Sequence, residues 1–249
     1  RANCLACGFS GVRRETVELL LAMLAAGIHP TDAGIETDRN QRDPTANETV
    51  LDGGDATSVV RTAPDATSTT IIDGFTIRNG HADHGGGVWI PGGTPVISHN
   101  RIMDSNAVRG GGVMVETSAD PLILANVITG NTASGGGGIE FWTNARGTVK
   151  SNLIHGNTAN YGNGVFDSGG CGYARGKGPV IANNTVLDNV DVWTTGSTIV
   201  NNIVAARSTG GTWRNNVLIA GTPPPGNTFA DPRFVDPAGA NFHLQGDSP

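Results

Sequence analysis

Cysteine is nearly absent from this chain of 249 residues, which has only Cys4, Cys7 and Cys171. Three cysteines build no disulfide framework. One C-x-x-C, with no second pair and no βαβ context, is weak evidence for zinc or redox chemistry. Basic residues are also scarce, 16 Lys and Arg against 22 Asp and Glu, for a net charge of −6. A nucleic-acid partner wants a basic stripe, and the balance here argues against one. No apolar run reaches the ~18 residues of a membrane span, and the most apolar stretch, 19–26, is too short. Aromatic residues make up 5% of the chain, so a cluster of them carries weight.

Glycine is the residue in excess: 37 of them, about twice the average usage of ~7%. There is no G-X-Y triplet, which excludes collagen, and Val, Ile and Leu recur in register, which argues against disorder. The glycines instead punctuate a repeat. GGGV stands at 85–88 and 110–113, GGGI at 136–139 and GNGV at 162–165, so the branched residues 88, 113, 139 and 165 are 25, 26 and 26 apart. Thirteen residues before each lie Phe75, Asn100, Asn126 and Asn152. Two markers that keep one phase at such a period identify a solenoid, in which each coil buries its apolar face on the next.

In chain order, Val17, Leu20, Leu21 and Leu24 follow helical spacing, and Gly27 with Pro30 supplies a stop. This predicts a short amphipathic helix capping the open end of the solenoid, followed by a polar loop over 31–48. Val50 with Leu51, Val59 with Val60, and Ile71 with Ile72 read as short strands between turns. Three residues before each Asn marker stand Ile97, Ile123, Val149, Ile181 and Ile199. Two after it stand Ile102, Ile128, Ile154, Val186 and Val204. Both columns are apolar and they are five apart, so a straight strand cannot bury both. The chain must bend, and the expected place is the Asn itself, which tolerates the left-handed region. Asn100, Asn126, Asn152, Asn184, Asn202 and Asn216 would then stack as a ladder. Its spacing shifts to 32, 18 and 14 after Asn152, which implies an insertion around 169–179 and then trimmed coils. The expected layout is a cap over 1–30, coils over 31–221, and a tail over 222–249 folded onto the last coil.

Several strings resemble right-handed parallel β-helix proteins of the pectin-lyase-like superfamily: IDGFTIRNG at 72–80, the GGGV repeats, ILANVITGNTA at 123–133 and VIANNTV at 180–186. GIETDRNQRDPTANETVLDGG at 34–54 is similar to their first coil. ADPRFVDPAGANFHLQGDSP at 230–249 is similar to the C-terminal signature of secreted bacterial β-helix proteins with sorting or anchor domains. The resemblance implies an all-β, right-handed parallel β-helix of about eight coils and a secreted or cell-surface bacterial location. It also implies, frequently, a carbohydrate substrate. The calcium aspartates and catalytic Arg or Lys of pectate lyases, and the aspartates of polygalacturonases, have no motif match. The chain is therefore expected to use no cofactor or metal, with calcium left open, and to act as a monomer on a glycan.

Parity after each glycine run puts Val88, Val113, Ile139, Val165, Ile90, Val115 and Phe141 inside. One outward column is then Trp89, Met114, Glu140 and Phe166, and the next is Pro91, Glu116, Trp142 and Ser168. Just before the glycines lie His84, Arg109, Gly135 and Tyr161. Aromatic rings stack on sugar faces while carboxylates and Arg bond hydroxyls. His84, Trp89, Arg109, Trp142, Tyr161 and Phe166 are therefore candidate binding residues, and Glu116 and Glu140 a candidate catalytic pair. Coils ~4.8 Å apart and a two-residue offset put their Cα atoms about 8 Å apart, which serves retaining and inverting glycosidases alike. Apolar neighbours are expected to desolvate Glu140 into a general acid, while Glu116, within reach of Arg109, stays ionised. The acidic character of the patch favours a neutral or weakly charged glycan over a polyuronate, whose carboxylates Glu116 and Glu140 would repel. Set against this reading, an outward Glu on a solenoid is usually plain surface. The leading function is polysaccharide cleavage by hydrolysis or elimination. The alternatives are a non-enzymatic adhesin-type module and a glycan esterase, the latter without any G-x-S-x-G string. Asp167 falls on an inward position, so either the strand ends early at the insertion, the favoured reading, or Asp167 is a buried, paired acid.

Overall fold

The computed structural model describes residues 29–31 and 48–249, apart from 117, 143, 170–176, 208, 209, 247 and 249. The expected capping helix, all three cysteines and residues 32–47 of the polar loop lie outside the described residues. Within them the chain is an all-β parallel solenoid of about five turns. The third turn shows the plan: strands Leu122–Leu124, Val127–Thr129, Thr132–Gly135 and Ile139–Phe141 follow one another with only two residues or a glycine corner between them. Equivalent turns occupy 71–90, 96–115, 148–167 and 180–192. In the last of these a single strand, Thr185–Val192, runs past the corner and joins two walls into a 15-stranded sheet. A 7-stranded wall and a 4-stranded corner strip complete the cross-section. After residue 192 the wall that carries Val88 is continued only as far as Arg207, which pairs with Val190, so among the described residues complete turns are fewer than the eight expected.

The repeat phase is kept in space. Val113 pairs with Val88 and Ile139, and Ile139 with Val165, all in parallel register. These residues, Ile90, Val115 and Phe141, and both apolar columns flanking the Asn ladder are buried. Each buried Val or Ile contributes about 1.5–3 kcal/mol relative to exposure, and stacking like on like repeats that gain turn after turn.

The bend beside the ladder lies one residue earlier than expected. The left-handed residues are His99, Ala125, Ser151, Asn183, Asn201 and Asn215, with φ between 53° and 57°. A single left-handed residue breaks the in–out alternation, which is how columns five residues apart both face inward. The ladder Asn is left to point into the core, where its amide serves the backbone. Asn152 donates to Ile123 O at 2.9 Å and to Asn184 Oδ1 at 3.0 Å, and its own Oδ1 accepts from Asn126 N at 2.8 Å. The ladder runs beyond Asn216 to Asn227, which accepts from Asn216 N at 3.0 Å. Thr228–Phe229 pairs in parallel with Val217–Leu218, so the solenoid continues past the three prolines. A second buried ladder escaped the sequence reading. Ser105 N donates to Asn131 Oδ1, Asn131 N to Asn157 Oδ1, and Asn157 N to Asp188, all at 3.0–3.1 Å.

Asp167 corrects a further expectation. The strand does not stop short of it: Val165–Asp167 is regular and Asp167 is buried. Thr194 Oγ1 donates to its carboxylate at 2.6 Å and Ser197 Oγ donates to the same oxygen. Burial pushes its pKa up, and those hydrogen bonds, with one from the Gly169 amide, only partly offset the rise. The tail forms an antiparallel hairpin, Phe234–Asp236 with Asn241–Leu244, whose Phe242 ring stands 5.1 Å from that of His155. Among the described residues no helix is long and apolar enough to cross a membrane.

Candidate functional site

The site grows out of the glycine corner. Gly85, Gly110, Gly136 and Gly162 all adopt φ between 56° and 60°, a conformation that costs an L-residue strain and glycine none. A Cβ on Gly136 would also lie 2.5 Å from the Cβ of Glu140. The corner therefore folds the strip carrying His84, Arg109, Gly135 and Tyr161 tightly against the outward column of Trp89, Met114, Glu140 and Phe166. This column points away from the core, as parity requires, yet Met114 and Glu140 are 0% exposed and Phe166 is 3%. They are covered from outside, so the expectation of plain solvated surface does not hold here.

Two ion pairs cross this corner, each reaching from one turn to the next. His84 Nδ1 meets Glu116 Oε1. Arg109 Nη1 donates to Glu140 Oε1 at 2.7 Å. The cation expected beside Glu116 thus serves Glu140, and His84 takes its place. Ser168 Oγ adds a long contact of 3.4 Å to Glu140 Oε1, while Oε2 is buried and without a hydrogen-bond partner. A Cβ on Gly135 would lie 3.1 Å from that Oε2 and crowd it, and glycine leaves the atom its space. Burial drives the Glu140 pKa up, and the Arg109 charge and hydrogen bond, the Gly110 amide and Ser168 pull it down without cancelling the rise. The Gly110 amide closes its own hydrogen bond on Gly135 O at 2.9 Å, so its pull on the carboxyl is electrostatic.

The aromatic rings are held by these charges. The Arg61 guanidinium lies 4.2 Å from the centre of the Trp89 ring and Arg109 lies 4.1 Å from that of Trp142. His84 stands between the two indoles, 5.6 Å from Trp89 and 6.0 Å from Trp142. The order Arg61, Trp89, His84, Trp142, Arg109 is one stack of cation–π and ring contacts, each worth about 0.5–1 kcal/mol at such half-exposed sites. The faces expected to meet sugars are thus partly taken by the protein's own cations. Tyr161 and Phe166 stack at 6.0 Å, and Trp193 closes on both, at 5.3 Å and 4.9 Å.

The structure brings all eight expected residues to one corner. Arg61 and Trp193 belong there too, and were missed. Arg61 lies outside the glycine repeats, though its strand pairs with that of Trp89. Trp193 lies beyond the insertion that breaks the 26-residue phase, although Trp193 N bonds Asp167 O just as Ser168 N bonds Phe141 O. Among the described residues no group of three or more His, Cys, Asp and Glu side chains could hold a metal ion.

Comparison with known proteins adds a fold-level result. No solved structure matches the chain. A stretch of 30 residues, 12% of the chain, is 67% identical to part of a histidine ammonia-lyase from Gloeobacter violaceus, of which it spans 6%. So short a share of the relative carries no statement about activity. A family model described as "Right handed beta helix region" matches residues 66–229, which hold the ladders, the glycine corners and the ion pairs. The chain belongs to the right-handed β-helix family.

Proposed function

We propose that this is an exported, monomeric polysaccharide-cleaving protein that works by elimination, with the glycan lying in the glycine corner. The observation that carries the reading is the His84/Glu116 pair. Glu116 holds Nδ1, leaving Nε2 of a half-exposed imidazole for proton transfer, between two indoles and with Arg61 and Arg109 behind them. Hydrolysis of a glycosidic bond asks for two carboxyl groups free to act on the substrate. Here Glu140 is buried beneath Arg109, so it acts as a counter-ion that positions Arg109. Elimination asks for a base and for cations to quiet a carboxylate. His84 Nε2 takes the proton α to a uronate carboxyl group, Arg61 and Arg109 stabilise the charge that develops, and the β C–O bond breaks as its oxygen takes a proton from solvent. The preference for a neutral glycan rested on repulsion by Glu116 and Glu140; with Arg109 bonded to Glu140 and Arg61 on Trp89, two guanidinium groups offset the two carboxylates, and it lapses.

A panel of uronate and neutral polysaccharides tests this, read for both unsaturated-sugar absorbance and new reducing ends. Elimination yields both signals from a uronate glycan, and His84→Gln removes them. Reducing ends without unsaturation would mean hydrolysis. The second reading, a non-enzymatic glycan-binding module, is favoured by the occupied indole faces and the sealed Glu140. It predicts retention of a glycan with neither signal.

A further inference from the structure

Trp89 and Trp142 have cations against their rings, whereas two other rings of the corner do not. Trp193 is 58% exposed and Tyr161 is 53% exposed, far more than large aromatic side chains usually are in a folded chain. They are set edge to face at 74°, and buried Phe166 makes a second edge-to-face contact with Trp193 at 83°, so together they form a fixed inside corner. The backbone register states where this corner lies. Glu116 N bonds Ile90 O, Trp142 N bonds Val115 O, Ser168 N bonds Phe141 O and Trp193 N bonds Asp167 O. Glu116, Trp142, Ser168 and Trp193 are thus successive members of one outward column, one per turn. Trp193 stands two turns beyond Trp142, about 10 Å along the solenoid axis at ~4.8 Å per turn.

We propose that Trp193 and Tyr161 form a distal sugar-stacking subsite, and that the glycan runs along the solenoid axis from the His84/Glu116 pair past Ser168 to Trp193. This rests on the reading of the corner as a glycan site. The occupant is the continuation of the same glycan, because the column is unbroken from Glu116 to Trp193. An apolar pyranose face covers the exposed indole, and the ring hydroxyls at its rim find the Tyr161 hydroxyl. Asp191, which pairs with Phe166 one turn away, faces the same lip. The sugar unit there must turn a hydroxyl, not its carboxylate, toward Asp191. Recognition then depends on length: a short oligomer fills the reaction corner alone, and a longer one gains the Trp193 stack.

The test is calorimetric titration with uronate oligosaccharides of graded length, in the His84→Gln background so that binding is read without turnover. Affinity should rise when the oligomer becomes long enough to reach Trp193. Trp193→Ala should remove that rise, a loss of about five- to tenfold for long oligomers, with little change for short ones. Trp193→Phe should keep most of it. Equal affinities for Trp193→Ala and its parent at every length would overturn the subsite, as would an equal loss for short and long oligomers. If length-dependent binding through Trp193 appears while the wild-type protein makes no unsaturated product, the subsite stands and the elimination reading falls. If unsaturated product forms from polymers and Trp193→Ala binds long oligomers like its parent, the reverse holds. Absence of binding at every length overturns both.

Discussion

Replacing Arg109 with Met would expose what Glu140 costs the fold. Met keeps much of the stem that covers the carboxyl and removes only the charge and the hydrogen bond at 2.7 Å. Removing one partner of a fully buried pair costs about 3–5 kcal/mol, because the other charge is stranded. Arg109 is 34% exposed, so solvent already screens part of its charge, and the electrostatic loss falls to about 2 kcal/mol. The lost stack on Trp142 adds about 0.5–1 kcal/mol that does not depend on pH. The carboxyl has an escape, since it can take a proton. The Glu140 pKa is already raised in the folded state, and losing Arg109 raises it further. A raised acid binds more protons folded than unfolded, so its penalty is absent below the ordinary value of 4.5 and grows as pH rises toward the folded pKa. Urea unfolding should therefore show a loss of about 2–3 kcal/mol near pH 7.5 and about 1 kcal/mol near pH 5. Arg109→Met with Glu140→Gln should recover all but the stacking part. Equal losses at both pH values, with no recovery in the double variant, would refute the argument that Glu140 is a buried charge held by Arg109.

Three further outcomes follow from the same reasoning. Asn152→Ala strands Ile123 O and Asn126 N, each costing about 1–3 kcal/mol, while Asn184 Oδ1 keeps the backbone N–H of residue 152, so urea unfolding should show a loss of several kcal/mol; a loss under about 1 kcal/mol would contradict the ladder. Asp167→Asn should flatten the fall in melting temperature as pH rises above the ordinary Asp value of 3.8, because the folded pKa of Asp167 is raised and its charged form is disfavoured; an unchanged pH profile would count against a buried ionised acid. Gly136→Ala should strain the corner at φ 60° and push on Glu140, lowering both stability and glycan binding, whereas Gly54→Ala, at φ 56° with open space around it, should cost stability alone.

The sequence carried the solenoid because stacking demands it: Val88, Val113, Ile139 and Val165 must repeat at one phase to lie in one column. The direction of each side chain after the corner followed from parity. Three things were not legible. The left-handed residue beside the ladder is an Asn only from Asn183 onward; in the regular repeats it falls at His99, Ala125 and Ser151, positions of no shared chemistry, because the constraint there acts on the backbone. The pairing of charges depended on how tightly the glycine corner folds, which brings Arg109 to Glu140 rather than Glu116 and buries a column that parity alone leaves in solvent. Trp193 was hidden by the insertion, which moves it out of phase in sequence while leaving it in register in space.

The most direct test of the account is the mass of the products released from a defined uronate oligosaccharide by the wild-type protein and by His84→Gln. Elimination adds nothing, so the account predicts two wild-type fragments whose masses sum to that of the substrate, and an intact oligomer with His84→Gln. Fragments heavier in sum by one water, or cleavage that survives the loss of His84, would contradict it.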